Sequence, residues 1–400
     1  MNSPIQITHV GSLPRPEALL TANNRVAAGE MEMGELDSIL TTAVEDVVRK
    51  QVELGIDIVN DGEYGHATSG AVDYGAWWNY SFYRIGGLTM TDVDRWANPE
   101  RVRSTPGNIR LTSFPDRRDR ARFNEAYTDP SSGIFTGRAK VANPKITDKI
   151  TYTGQDLVQR DVRLLRSAME KTGAKQGFIA AISPGSAARL PNEYYADEKA
   201  LLSDMADALA VEYRAITDAG LIVQIDAPDL AEAWDQINPE PSVEDFQAWL
   251  QLRIDAINQA LVGIDPELVR LHICWGSWHG PHTTDIDFAH IVDQCLQVKA
   301  KSFSFEAASP RHAHEWRIWE ERELGQRKLV PGLVSHSTNI VEHPQLVAER
   351  LERFAAVVGA ENLIASTDCG LGGRIHRQIA WAKLEALAEG TQIANQRLGS

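Results

Sequence analysis

A (β/α)8 TIM barrel with a large insertion between its second and third strands is the fold class this sequence predicts. Three observations lead there. Eight short β-rich runs end in polar residues, amphipathic segments alternate with them, and one interval is far too long for a normal crossover connection. The chain, 1–400, reads as a single catalytic barrel domain with the insertion at about 64–165.

The strands expected are Ile5–Val10, Ile56–Asn60, Gly177–Ile182, Leu221–Asp226, Val269–Cys274, Ser302–Glu306, Leu329–Val334 and Leu363–Thr367. Between the second and third lies an aromatic run, Asp73 to Tyr83, followed by a stretch rich in Pro and Arg. The aromatic run suits either a lid wall over the barrel mouth or plain packing of the insertion. Arg117, Arg118, Arg120 and Arg122 alternate with Asp116 and Asp119, which predicts a solvated or subunit-contact surface and admits a homo-oligomer. After the fourth strand, Ser242 is the expected N-cap of a helix whose stripe is Phe246, Leu250, Ile254, Ile257 and Leu261. After the seventh, Leu346, Val347, Leu351, Phe354 and Val358 form a stripe stopped by Gly359, suited to positive φ after a helix end.

Composition bounds the function. Hydrophobic residues at 43% and charged residues at 24% are globular proportions and exclude wholesale disorder. Forty Lys and Arg against 55 Asp and Glu give a net charge of −15, which repels polyphosphate and anionic membranes. No nucleic-acid partner and no membrane association are expected, and a small molecule is the natural partner. The N-terminus lacks a basic region followed by an apolar stretch, so a cytoplasmic location is expected. Three scattered cysteines cannot form a disulfide framework.

The strongest local signal is Val269-Arg270-Leu271-His272-Ile273-Cys274. Side chains on a strand repeat direction every second residue, so His272 and Cys274 point the same way. Alone, such a pair is equally a packing feature. The run Ser302–Glu306 ends in a carboxylate, however, and Leu363–Thr367 is followed by Asp368 and Cys369. In a barrel these strand ends converge on one mouth. His272, Cys274, Glu306 and Cys369 are then a donor set suited to Zn²⁺, which accepts sulfur, nitrogen and oxygen in tetrahedral geometry, and unsuited to Mg²⁺ or Ca²⁺.

His272-x-Cys274, Phe305-Glu306-Ala307-Ala308-Ser309-Pro310-Arg311 and Thr367-Asp368-Cys369-Gly370 resemble the zinc-ligand segments of cobalamin-independent methionine synthase. Val10-Gly11-Ser12-Leu13-Pro14-Arg15, Asp61-Gly62-Glu63 and Gln224-Ile225-Asp226-Ala227-Pro228 are similar, in order, to further segments of that family's catalytic barrel. The resemblance spans nearly the whole chain outside the insertion. It extends to the single-barrel zinc thiol-alkyltransferases, including epoxyalkane:coenzyme M transferase.

The resemblance implies a Zn²⁺ ion that binds a small-molecule thiol as thiolate and presents it to the electrophilic carbon of an alkyl donor. The family default is a 5-methyltetrahydrofolate-type donor and a homocysteine-type acceptor. It implies that Glu306 shifts or leaves when the thiol arrives, and that Ser12, Glu63 and Asp226 hold the acceptor's carboxylate and ammonium. His336 matches the family histidine that assists protonation of the leaving group. Ala227 stands where the family has an acid, and Val334 where it has Asp two residues before the histidine.

Several features are read without catalytic roles. His279, His282, His312 and His314 are expected as solvated loop histidines, Trp275 and Trp278 as possible substrate-facing planes, Trp316 and Trp319 as core or interface, and Cys295 as packing. Gly370, Gly372 and Gly373 are a weak phosphate-binding signal. Two other classes remain open on sequence: a metal-free barrel resembling uroporphyrinogen decarboxylase, and a non-catalytic binding protein.

Overall fold

A computed structural model describes residues 5–68, 76–94, 101–134 and 142–399. Strands β1 (Gln6–Ile7), β2 (Ile58–Asn60), β3 (Ile85–Asp94), β4 (Ala142–Tyr152), β5 (Gln176–Ile182), β6 (Ile222–Asp226), β7 (Val269–His272), β8 (Ser302–Phe305), β9 (Lys328–Val334) and β10 (Ile364–Thr367) form two sheets. Eight of them make one parallel sheet in the order β1-β10-β9-β8-β7-β6-β5-β2, with helical segments between strands. β3 and β4 pair antiparallel, outside that sheet. This is the near-closed (β/α)8 barrel with an insertion after its second strand.

The ring is sealed between β1 and β2 by a few bonds rather than a ladder. Asp57 N donates to Ile7 O at 2.9 Å, Ile7 N donates to Asp57 Oδ2 at 2.8 Å, and Thr8 Oγ1 donates to Ile58 O at 3.0 Å.

All eight expected strand positions are occupied; six strands are shorter than expected, while β5 and β9 each begin one residue earlier. β7 stops at His272, so Cys274 stands on the first turn beyond the ladder, although Ile273 N still reaches Ser304 O at 2.9 Å. The alternation argued from sequence holds: Leu271 and Ile273 join the cluster beneath the helices, while Arg270 lies inside, its guanidinium 4.0 Å from the Phe178 ring. Ile58, Phe178, Val330 and Ile364 fill the barrel floor.

The helix Val243–Ala260 begins as expected, Asp245 N donating to Ser242 Oγ at 3.1 Å, and buries Phe246, Leu250, Ile254 and Ile257. The helix Pro344–Val358 ends at Gly359 with φ 84°, but its Leu346 is exposed. Within the insertion, short helices Ala76–Asn79, Arg118–Arg122 and Asn124–Thr128 accompany the β3/β4 hairpin. Among the described residues no helix is long and apolar enough to cross a membrane.

Of the arginine cluster, Arg122 is exposed as expected and Arg118 and Arg120 are half-buried, but Arg117 departs from the expected solvated surface. Arg117 is buried, ion-paired with Glu232 and 3.7 Å from Asp235, with its guanidinium 4.3 Å from the Phe114 ring and 4.6 Å from that of Trp278. Arg118 pairs with Glu240. The turn Glu232–Gln236 after β6 supplies this counter-charge, whereas Asp116 pairs with Arg103 and Asp119 serves Tyr127 and Thr283. Of the aromatic run, Tyr80 is buried and Trp77 and Trp78 line the cavity at the barrel mouth; Asp73, Tyr74 and Gly75 lie outside the described residues.

Candidate metal centre

Ligand atoms of His272, Cys274 and Cys369 lie within 4.8 Å of one another. β7 and the turn beyond it supply the first two, and the loop after β10 the third. The two sulfurs are 3.8 Å apart. Their contact holds the Cys369 thiol well below its ordinary value, helped by His272, and raises that of Cys274. Gly276 N donates to Cys274 Sγ at 3.2 Å. The Nδ1 of His272 contacts Ser304 Oγ at 3.1 Å, leaving a buried Nε2 with no hydrogen-bond partner. A buried polar nitrogen without a partner is costly, so the position is arranged for a ligand.

The fourth expected donor, Glu306, falls outside this group of three. Glu306 follows β8, accepts from Trp275 N at 3.3 Å through Oε1, and adds its charge to the field that raises Cys274. Its oxygens group within 4.8 Å with ligand atoms of His336 and Asp368. Burial, then the charge of Asp368, lifts the Glu306 carboxyl well above the usual range. His336 is buried with neither ring nitrogen hydrogen-bonded, and burial lowers it to about 4.

Sequence reasoning passed over Asp368. Its Oδ1 accepts from Ala307 N and Ala308 N, each at 2.8 Å, fastening the segment after Glu306 to the one that carries Cys369. Its place beside Cys369 in Thr367-Asp368-Cys369-Gly370 was the available signal.

A cavity of about 1640 Å³ opens over the thiols and is lined by Ser12, Glu63, Asp226, His272, Cys274 and Cys369 among others. Glu306 and His336 are not part of that wall. Glu63 stands at φ 58°, an uncommon conformation for a side chain of its size, with its N–H donating to Asp61 Oδ1 at 2.9 Å. Burial raises its carboxyl to about 8 against the opposing charge of Arg15. Asp226 is likewise raised well above the usual range, by burial and then by Glu63, while Gln224 Nε2 donates to its Oδ1 at 2.9 Å. Ser12 Oγ donates to Gly372 O at 3.2 Å. The glycines after Cys369 serve close backbone approach: Leu371 N and Gly372 N donate to Ser12 O at 2.9 and 2.8 Å, and a Cβ on Gly372 would meet Leu13 O at 2.3 Å.

The loop histidines divide. His314 is exposed as expected, but His312 is buried and the His282 side chain is only 12% exposed. Asp285 and Glu315 pair with them and keep them charged despite burial. Desolvation pulls both imidazoles down, yet Asp285 brings His282 to about 9, and Asp285 with Glu315 brings His312 to about 10. Cys295 packs in the core, as does Trp319.

Residues 139–393 match the family model described as the catalytic domain of cobalamin-independent synthase. The chain is 24% identical to a methionine synthase of Sulfolobus acidocaldarius, over 98% of this chain and 92% of that one. It is 25% identical to a methionine synthase of Saccharolobus solfataricus, over 98% of this chain and 95% of that one. Among solved structures it resembles a B12-independent methionine synthase from Shewanella in complex with selenomethionine. There the TM-score is 0.70 at 18% identity, covering 99% of both chains, a likeness of fold.

Proposed function

The chain belongs to the cobalamin-independent methionine synthase family, and on that premise we propose that this methionine-synthase-type transferase moves a methyl or larger alkyl group to an amino thiol at a zinc centre formed by His272, Cys274, Cys369 and Glu306. The observation that carries the reading is the 3.8 Å separation of the Cys274 and Cys369 sulfurs beside the unpartnered Nε2 of His272. Two sulfurs about 2.3 Å from one tetrahedral ion stand roughly 3.8 Å apart, so the donors already have the spacing that zinc requires. When bound there, zinc supplies an acidified thiol that is a thiolate at neutral pH.

The protein's own residues do the remaining work. The Ser304 hydroxyl fixes the His272 ring so that Nε2 faces the sulfurs. Trp275 N holds one oxygen of Glu306 outside the cavity wall, which suits a donor that yields its place to a guest sulfur. Glu63 and Asp226 face the cavity that holds the two sulfurs, and two buried carboxyl groups raised by desolvation are stabilised by an arriving ammonium. Ser12 marks the place of the acceptor's carboxylate on the facing loop. An amino thiol is therefore favoured over a coenzyme M-type acceptor, which has a sulfonate and brings no ammonium to Glu63 and Asp226.

His336, neutral in the free protein because of its burial, has two ring nitrogens without hydrogen bonds behind Glu306; it must first take up a proton as the site fills, and it is assigned to relaying that proton towards the leaving group. Methyltetrahydrofolate-type compounds are the donor class the family suggests, and the cavity is larger than an amino thiol needs. Family membership sets aside the uroporphyrinogen decarboxylase-like alternative.

The test is metal content followed by thiol binding. Protein purified without added metal is expected to carry about one zinc per chain. The cobalt-substituted form is expected to gain sulfur-to-cobalt absorption with homocysteine and not with homoserine. No metal uptake, or no response to any amino thiol, overturns the reading.

A further inference from the structure

Behind the turn that carries Cys274 lies a buried chain of alternating acids and imidazoles that thiol transfer, as derived above, does not use. Asp285 stands at its centre. His282 Nδ1 contacts Asp285 Oδ2 at 3.2 Å, and His312 Nε2 contacts the same oxygen at 3.2 Å. His312 Nδ1 reaches Glu315 Oε2 at 2.8 Å, and Glu315 Oε1 in turn accepts from Phe288 N at 2.5 Å. The other nitrogen of His282 donates to Trp278 O at 3.0 Å.

Each imidazole supports one tryptophan of the Cys274 turn. The His312 ring lies 4.3 Å from that of Trp275, and the His282 ring stacks 4.2 Å from that of Trp278. The backbone of this turn supplies the Trp275 N–H that holds Glu306 and the Gly276 N–H that holds the Cys274 sulfur. His282 also adopts φ 54°, a left-handed conformation that a side chain of its size keeps only when its surroundings impose it. Bonds at both ring nitrogens, and from His282 N to Asp119 Oδ2 at 3.3 Å, impose it here.

We infer that Asp285 is a positioning residue for the metal centre: by clamping His282 and His312 it fixes the Trp275–Trp278 turn, and so the two amides that hold Glu306 and the Cys274 sulfur. The inference rests on the zinc reading above. Hydrogen bonds to a ligating sulfur and a ligating carboxylate set how strongly each donates, so a loosened turn changes affinity and ligand field without removing any ligand. A purely structural role for the chain would change stability alone.

Asp285→Asn in the full chain separates the two, because the amide keeps the shape but presents a donor to one of the two cationic rings. The expected result is a folded protein by circular dichroism that still takes up about one metal ion, with zinc affinity lowered roughly 10- to 100-fold in chelator competition. The cobalt-substituted form is expected to show shifted absorption bands, and kcat to fall more than the acceptor KM changes. His312→Gln is expected to act in the same direction and decides the matter if Asp285→Asn does not fold. Wild-type affinity and an unshifted cobalt spectrum in a folded variant overturn the inference while leaving the zinc reading intact. Failure of both variants to fold would make the chain a folding element and overturn it too. A wild-type protein that binds no metal overturns both proposals together.

Discussion

A Cβ placed on Gly11 would stand 2.6 Å from the Oε1 of Glu63, so the missing side chain of one residue is the space the other's carboxylate occupies. Gly11 also has φ 131°, which a larger residue adopts only under strain. Gly11→Ala is therefore expected to displace Glu63 and to cut kcat/KM for the amino-thiol acceptor by roughly 10- to 100-fold, while metal content stays unchanged. Steady-state kinetics beside metal analysis checks this, and unchanged kinetics would remove Glu63 from the acceptor site.

The same carboxyl gives a pH signature. Glu63 is raised to about 8 in the free protein, so it is largely neutral at pH 7 and becomes anionic as the pH passes 8. An ammonium binds the anion better, so acceptor KM is expected to fall between about pH 7 and 9. In Glu63→Gln the KM should be higher and this inflection lost. A wild-type KM that is flat across this interval would contradict the assignment.

Replacing either sulfur of the close pair, as Cys274→Ser or Cys369→Ser, is expected to reduce bound zinc from about one equivalent to a small fraction and to abolish transfer. Cys295→Ser is the control, since that thiol is buried in the core away from the centre, and it should keep its metal. Full zinc retention in both of the first two variants would refute the ligand set.

His336→Ala is expected to retain zinc and to lower kcat by roughly 100- to 10,000-fold with a donor whose leaving group must be protonated. A donor whose leaving group needs no proton should show a much smaller loss. Equal turnover of both donor types by wild type and variant would return His336 to packing.

Acid stability tests the barrel rather than its site. Burial lowers His9 to about 4 from the ordinary histidine value of 6.5, and its Nε2 contacts Gln51 Oε1 at 2.8 Å. The unfolded chain therefore takes up a proton at this residue before the folded one does. The contribution is complete above pH 6.5, is lost progressively as pH falls towards 4, and amounts to up to about 3 kcal/mol. Denaturant midpoints measured from pH 7.5 to 4.5 should decline, and His9→Asn should flatten part of that slope. An identical slope in the variant would show that His9 does not titrate on unfolding.

The strands were legible because a barrel strand is a short apolar run with polar residues at its mouth end, and the candidate metal cluster of His272, Cys274 and Cys369 was legible because its residues sit at those ends. Part of what escaped depended on partners distant in sequence. Arg117 reads as a solvated cation until Glu232 and Asp235 arrive beside it from the turn after β6. His282 and His312 read as loop histidines even though Asp285 and Glu315 each stand three residues on, because nothing in the sequence indicates that His312 will meet Asp285, 27 positions away, and join the two pairs away from solvent. Asp368 was hidden differently: its two bonds run to main-chain amides, and a main-chain acceptor leaves no trace in residue type.

The seam between β1 and β2 has a consequence for how the molecule comes apart. Its closure relies on the Asp57 carboxylate, the Thr8 hydroxyl and scattered main-chain bonds from Asp57 N and Leu13 N instead of a continuous ladder, so it is the weakest hoop of the ring. Gly11, Ser12 and Glu63 hang from the two strands that flank it, whereas His272, Cys274 and Cys369 hang from strands paired on both sides. On warming, the proposed grip on a guest amino acid should be lost before the proposed ion is released.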